Sequence, residues 1–172
     1  MATDVKFEDS NSAGRFCEER FAKHIVEDLW GEILDTSPDE VFKERDIKAL
    51  IDWVEVTFEV KSDRKSEYTH NSMIEYEYNT RHDDIKKRIR EPSWIASTKA
   101  DYFVIYSDKK RWQQEVEELR KRLDRRKKRS VTGWNNNNAR WRLFKCSEMP
   151  ELFDQLTEVS ELPPYVKEET EA

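Results

Sequence analysis

The stretch IDWVEVTFEVK, residues 51–61, alternates apolar and polar side chains: Val54, Val56, Phe58 and Val60 against Glu55, Thr57, Glu59 and Lys61. Successive side chains of a strand point to opposite faces of a sheet, so period-two alternation marks a half-buried strand. Its polar face is either wet or occupied. Just upstream, residues 45–51 form a second strand-like run, separated from the first by Asp52-Trp53. If those two residues are a hairpin loop, positions whose numbers sum to 105 lie opposite one another, which pairs Asp46 with Glu59. Opposite residues share a face. Asp46, Glu59 and Lys61 then project from one side, and Ile47, Ala49 and Ile51 join the apolar side.

Directly paired carboxylates have Cβ atoms only about 5 Å apart, and like charges so placed destabilise a sheet. Removing one acid is therefore expected to leave the fold intact, and the pair favours a cation. Mg²⁺, with Mn²⁺ as its substitute, takes oxygen ligands from one or two carboxylates plus substrate phosphate. A metal held by Asp46 and Glu59 would bind a scissile phosphodiester and lower the pKa of an attacking water. Lys61, pointing the same way, would orient that water or stabilise charge building on the phosphate. Two alternatives stand beside this reading. Lys48 and Lys61 would neutralise the acids on a merely structural polar face. Asp52 is the other nearby acid, but it would lie roughly 20 Å along the strand from Asp46. The tripeptide itself decides little: an acid two residues before a lysine occurs six times, starting at Asp4, Asp46, Glu59, Asp63, Asp84 and Asp108.

Working outward, Cys17, Phe21, Ile25 and Leu29 recur every fourth position, an apolar stripe on a helix of about twenty residues beginning after the N-cap-like Asn11 and Ser12. That helix is expected to end near Gly31–Asp35, with a turn at Thr36–Asp39. A third alternating run spans Ser72–Tyr78, and Ser97 and Thr98 are placed to cap a short helical turn. The continuous apolar run Tyr102–Tyr106 reads as a central strand covered on both faces. Residues 112–129 are helical in composition, 131–138 read as a loop, Trp141–Cys146 as a last strand and Pro150–Val159 as a last helix. This order fits an α/β sandwich around a mixed sheet. Residues 1–12 read as an arm, 13–160 as one domain and 161–172 as an acidic tail.

Of the 172 residues, 40% are charged and 12% aromatic; six Trp, eight Phe and six Tyr supply the large apolar area a core needs. Cys17 and Cys146 are unclustered and no run approaches the roughly 20 apolar residues of a membrane span, so a soluble, cytoplasmic protein is expected, without a membrane partner. The net charge of −6 weighs against a protein that coats nucleic acid, but it is segregated. Residues 120–129 hold eight basic side chains in ten and residues 81–90 hold five. Lys86, Lys87, Arg125, Lys127 and Lys128 are the candidate phosphate contacts of a DNA track; a solvated basic surface is the plain alternative. Trp134, Asn135–Asn138 and Arg140 could read base edges, or form a flexible polar loop. His24, His70 and His82 show no metal-ligand spacing.

The combination of Asp46 with Glu59-Val60-Lys61 at the end of an alternating strand resembles the motif of the PD-(D/E)XK nuclease superfamily, the restriction-endonuclease-like fold. "FEVKSDRKSEYTHNSMIEYE" followed by "SWIASTKADYFVIY" is similar to a small phage-type branch, in which the motif lysine precedes Thr-Gly-Asn-like and Ile-Glu segments and a later Ser-Thr-Thr-Lys-Ala-Asp-Tyr-like turn. The resemblance covers residues 14 to about 106. It departs from the pattern in lacking a proline before Asp46 and in placing His70 where the branch has glycine. It implies a mixed β-sheet flanked by helices, Asp46 and Glu59 as metal ligands, and Lys61 as the catalytic lysine. The superfamily's first helix often offers a further carboxylate, here Glu18, with Glu19 as rival; Glu75 is a weaker candidate for the cleft. The implied function is a Mg²⁺-dependent DNA endonuclease processing phage or mobile-element DNA. The alternative is a catalytically inactive nucleic-acid-binding or interaction protein with the same fold. Superfamily members often dimerise for double-strand cleavage, so a homodimer is carried as one assembly the resemblance allows.

Overall fold

The computed structural model describes residues 7–36, 45–63, 66–79, 90–92, 94–107, 109–126, 130–132 and 140–158. Its frame is a mixed six-stranded sheet built on the hairpin that opened the sequence reading. Strand β2 (Ile47–Ile51) pairs antiparallel with β3 (Val54–Asp63) in the expected register, Ile47 opposite Phe58 and Ile51 opposite Val54. The intervening Asp52 and Trp53 both sit at positive φ, 50° and 67°. That is the two-residue type I′ geometry, whose backbone twist matches that of the flanking strands.

The other strands assemble around this pair. On the outer edge of β2, β1 (Glu32–Thr36) adds an antiparallel strand where the sequence pointed to a helix end and a turn. Gly31 permits it: a Cβ there would meet Ile25 Cγ2 at 2.7 Å and the Leu50 carbonyl oxygen at 3.1 Å. On the other side, β6 (Tyr102–Ser107) runs parallel to β3 and is buried along almost its whole length, as a continuous apolar run in a sheet centre should be. β7 (Lys110–Glu115) and β10 (Gln155–Glu158) complete the order β1-β2-β3-β6-β7-β10.

Helix α1 (Phe7–Glu27) covers one face of this sheet with Cys17, Phe21 and Ile25, packed against Ile47, Ala49, Phe58, Val60, Val104 and Tyr106. The Phe21 ring meets Phe58 edge-on at 4.9 Å. α1 begins at Phe7, so Asn11 and Ser12, expected just before the helix, lie inside it. Helix α4 (Val116–Arg125) and a second, four-stranded sheet lie on the opposite face. That sheet orders β5 (Arg90–Pro92), β4 (Asn71–Asn79), β9 (Arg140–Lys145) and β8 (Ser130–Thr132). Short helices α2 (Ser66–Thr69) and α3 (Trp94–Ser97) and a 3₁₀ turn (Cys146–Glu151) connect these parts. Phe103, Ile105, Trp112, Leu119, Leu123, Phe144 and Met149 fill the core between the layers.

The class expected from the sequence, a mixed sheet flanked by helices, is the one observed. Other assignments change as well. Residues 112–129 do not form one helix: Trp112 and Gln114 alternate inward on β7 and α4 starts at Val116. Residues 150–159 form no helix; the 3₁₀ turn is followed by β10, an exposed edge strand held by its ladder to β7. The helical turn near Ser97 precedes that residue rather than following it. Among the described residues, no helix is long and apolar enough to cross a membrane.

Candidate active site

β3 outruns β2 by several residues, and the candidate site lies where it does. The backbone N–H of Asp46 donates to the Phe58 carbonyl at 2.9 Å although Phe58 is already opposite Ile47, so the regular ladder stops at Ile47. Beyond it a side chain takes over: Asp46 Oδ2 accepts the Val60 N–H at 2.7 Å. This fixes the carboxylate against β3, across from Glu59. It also corrects one expectation, because Asp46 serves the sheet as well as any chemistry and its removal leaves a backbone donor without an acceptor.

Lys61 Nζ closes the group, 3.2 Å from Asp46 Oδ2 and 2.5 Å from Glu59 Oε1. Glu59 is 4% exposed, and its Oε2 accepts the Thr98 hydroxyl at 3.2 Å. Burial pushes the Glu59 carboxyl above its ordinary range and the Asp46 charge adds to this, while Lys61 and the Thr98 hydroxyl oppose it. For Lys61, burial disfavours the ammonium, but the two carboxylates outweigh it and hold the amine protonated. Among the described residues two acids face one ammonium, a formal excess of one negative charge.

The segment after α3 is pinned to β3 from below. Asp101 Oδ2 accepts both the backbone N–H and the hydroxyl of Thr57, each at 2.8 Å. Arg120 reaches over from α4 and donates to the carbonyls of Ile95, Ala96 and Thr98 at 2.9, 3.3 and 2.7 Å. Thr98 thereby becomes a partner of Glu59 that sequence reasoning treated only as a helix cap. Nothing in its own neighbourhood announces a contact 39 residues away.

The remaining candidates divide. Asp52 sits in the hairpin turn at the far end of β3, away from Glu59. Glu18 and Glu19 are on α1, which packs against the opposite face of the sheet through Cys17 and Phe21. Glu75 lies on β4 in the second sheet, opposite Trp141. Lys48 pairs with Glu55 at 2.6 Å rather than with the central acids. His24 bridges Asp28 at 2.6 Å and Arg111 at 3.0 Å.

The basic run at 120–129 is partly structural. Arg120 holds α3, Arg122 makes a bidentate pair with Asp154 at 2.8 and 3.0 Å, and Arg126 pairs with Glu151. Arg125 is exposed on the last turn of α4. Lys86, Lys87, Lys127, Lys128, His82 and the Trp134–Asn138 segment lie outside the described residues.

Among the described residues no three or more His, Cys, Asp or Glu side chains are grouped to hold a metal. Two carboxylates are what the site offers. That donor set suits a hard cation that takes its remaining ligands from water and phosphate, and the formal excess of negative charge favours one.

No family model matches this chain, and no curated protein matches it. A solved structure is similar. It is that of a bacterial homing endonuclease, with a TM-score of 0.40 and 17% identity over 68% of this chain and 71% of the other.

Proposed function

We propose that the protein is a metal-dependent DNA endonuclease of PD-(D/E)XK type, acting on phage or mobile-element DNA. One observation carries the reading: Asp46, Glu59 and Lys61 converge on one face, with the Lys61 ammonium 3.2 and 2.5 Å from the two carboxylates and Glu59 buried beneath it. Asp46 and Glu59 would hold a Mg²⁺ or Mn²⁺ ion. When bound, the ion supplies charge neutralisation at the scissile phosphate and an acidified water.

The chain's own groups do the rest. Thr98 fixes Glu59 Oε2, and the Val60 N–H fixes Asp46 Oδ2, so both carboxylates are aimed before substrate arrives. Lys61 stays protonated and places a positive charge where a pentavalent phosphate would accumulate negative charge. DNA would be steered by Lys86, Lys87, Arg125, Lys127 and Lys128, with a homodimer as the assembly for double-strand cleavage.

The second reading is an inactive nucleic-acid-binding protein in which Lys61 is the structural counter-ion of a buried acid pair. The same ion-pair distances favour it. Cleavage of plasmid, linear, branched and single-stranded DNA with Mg²⁺ or Mn²⁺ separates the two, alongside EDTA and Glu59→Gln controls. The nuclease reading expects turnover that EDTA and Glu59→Gln both abolish, and a melting temperature that Mg²⁺ raises by mass action. Hydrolysis undiminished in EDTA, or full activity in Glu59→Gln, would overturn it.

A further inference from the structure

A cleft of about 550 Å³ opens beyond the carboxyl end of β3, and its lining is one-sided in charge. Lys110 and Lys145 supply two ammonium groups, and Thr69 and Ser147 supply hydroxyls. His70, Asn71 and Cys146 complete the wall, and no carboxylate is among the described lining residues. In a chain with 37 acids to 31 Lys and Arg, a cavity whose described lining holds two lysines and no acid is a site for an anion. Of the nearby acids, Asp63 accepts the Met73 N–H at 3.0 Å, Glu148 accepts the Lys145 N–H at 2.8 Å, and Glu158 lies opposite Lys110 in the ladder of β7 with β10.

The cleft is built by the fold. His70 is held at φ 51°, and its carbonyl accepts the Cys146 N–H at 2.9 Å, tying the end of α2 to the end of β9. Asn71 is opposite Lys145 in the β4–β9 ladder. Lys110 is opposite Ser107, which neighbours Asp63 on β3, so Lys110 projects from the same sheet face as Glu59 and Lys61. Two strand spacings across and two residues along place its Cα about 12 Å from that of Lys61. The volume is far larger than a lone phosphate needs and suits a nucleotide unit.

The geometry points to this cleft as a second phosphate-binding site, which takes a phosphate of the nucleic-acid strand whose scissile bond lies at Asp46, Glu59 and Lys61. The choice of ligand rests on the proposed function; the anion site itself does not. Lys110 and Lys145 pair with the phosphate oxygens, and Thr69, Asn71 and Ser147 donate to them or to the sugar.

Cys146 reports occupancy directly. Cys17 is 1% exposed, so a thiol reagent on the native full chain labels Cys146, as peptide mapping would verify. The probes are a short thymidine oligonucleotide with a 5′-phosphate, its 5′-hydroxyl counterpart and inorganic phosphate, all in EDTA so that nothing is cleaved. At tenfold excess over Kd, the oligonucleotides should slow labelling about tenfold. Lys110→Gln with Lys145→Gln should abolish protection and flatten the salt dependence of oligonucleotide binding by about 1.4, at 0.7 per contact on a single strand. Protection by both oligonucleotides supports an internal phosphodiester, and protection only by the 5′-phosphorylated one supports a terminal phosphate. Protection by inorganic phosphate but by neither oligonucleotide would overturn the nucleic-acid assignment. Labelling unaffected by any probe would overturn the site, and this measurement needs no variant to fold. A Glu59→Gln protein that still cleaves but keeps Cys146 protection would sink the catalytic reading and leave this one standing.

Discussion

Asp46 is asked to do two things, and paired substitutions separate them. In Asp46→Ala the Val60 N–H loses the acceptor that sits 2.7 Å away, and a partly buried donor left unsatisfied costs about 1–3 kcal/mol. For a chain of this size that is a fall in melting temperature of roughly 3–10 °C. Asp46→Asn keeps a carbonyl oxygen in the same place and exchanges a charged acceptor for a neutral one, a loss of no more than about 1 kcal/mol. Both variants remove the anionic ligand. Because changing a mere partner of a metal ligand typically costs 10–100-fold, both should lose more than about 100-fold in Mg²⁺-dependent cleavage. The assay is urea unfolding of the three proteins, with an unchanged slope confirming comparable end states, beside DNA cleavage at saturating metal. If Ala proves as stable as Asn, the Val60 bond contributes nothing. If Asn cleaves normally while Ala does not, the acid is only a brace for the hairpin, and the proposed site is wrong.

Three further outcomes test other parts of the structure. Trp53, 92% exposed at φ 67°, packs on nothing and carries left-handed strain of about 1–2 kcal/mol, against the roughly 0.5–1 kcal/mol entropy cost of glycine. Trp53→Gly should therefore stabilise the protein slightly in denaturant melts, and a clear loss would mean the turn is not type I′. Arg120→Lys cannot hold three carbonyls; it should lower turnover about tenfold through Thr98 with DNA affinity unchanged, whereas an equal loss of affinity would place Arg120 on the DNA instead. Charge reversal at Lys86 with Lys87, or at Lys127 with Lys128, should flatten the salt dependence of duplex binding by about 0.9 per lost contact. Unchanged slopes from both pairs would take these runs off the path of the DNA.

What the sequence displayed of this fold is what alternation can encode. Two runs of period two flanking a two-residue turn leave one register, and it is the one observed from Ile47 opposite Phe58 to Ile51 opposite Val54. The apolar run at β6 was equally legible because burial on both faces removes polar positions. β7 was not: its Lys, Arg, Gln and Glu favour a helix by composition, and only Trp112 and Gln114 turn inward. β10 buries none of its four residues, so no pattern could mark it. β1 was hidden for another reason, since its place on β2 depends on the close approach of Gly31 to Ile25 and Leu50. Within the site, the trio was readable because strand geometry alone brings it together. Thr98 and Arg120 were not, because their roles are set by contacts across the layers.

The site's position follows from an unequal pairing. β2 ends at Ile47, opposite Phe58, while β3 continues alongside β6 to Asp63. Past that point β3 has hydrogen-bonding groups that no described strand meets, and a buried backbone donor must find an acceptor. An aspartate answers: Asp46 takes the Val60 N–H. Where a neighbouring strand stops short, the sheet therefore acquires a carboxylate for a structural reason, and no described strand covers β3 beside it. A fully paired strand would not have needed it. Among the described residues Lys61 balances only one of the two acids that meet here, so the arrangement that completes the hairpin carries a formal excess of one negative charge, which on the proposed function a divalent cation bound with a phosphate would offset.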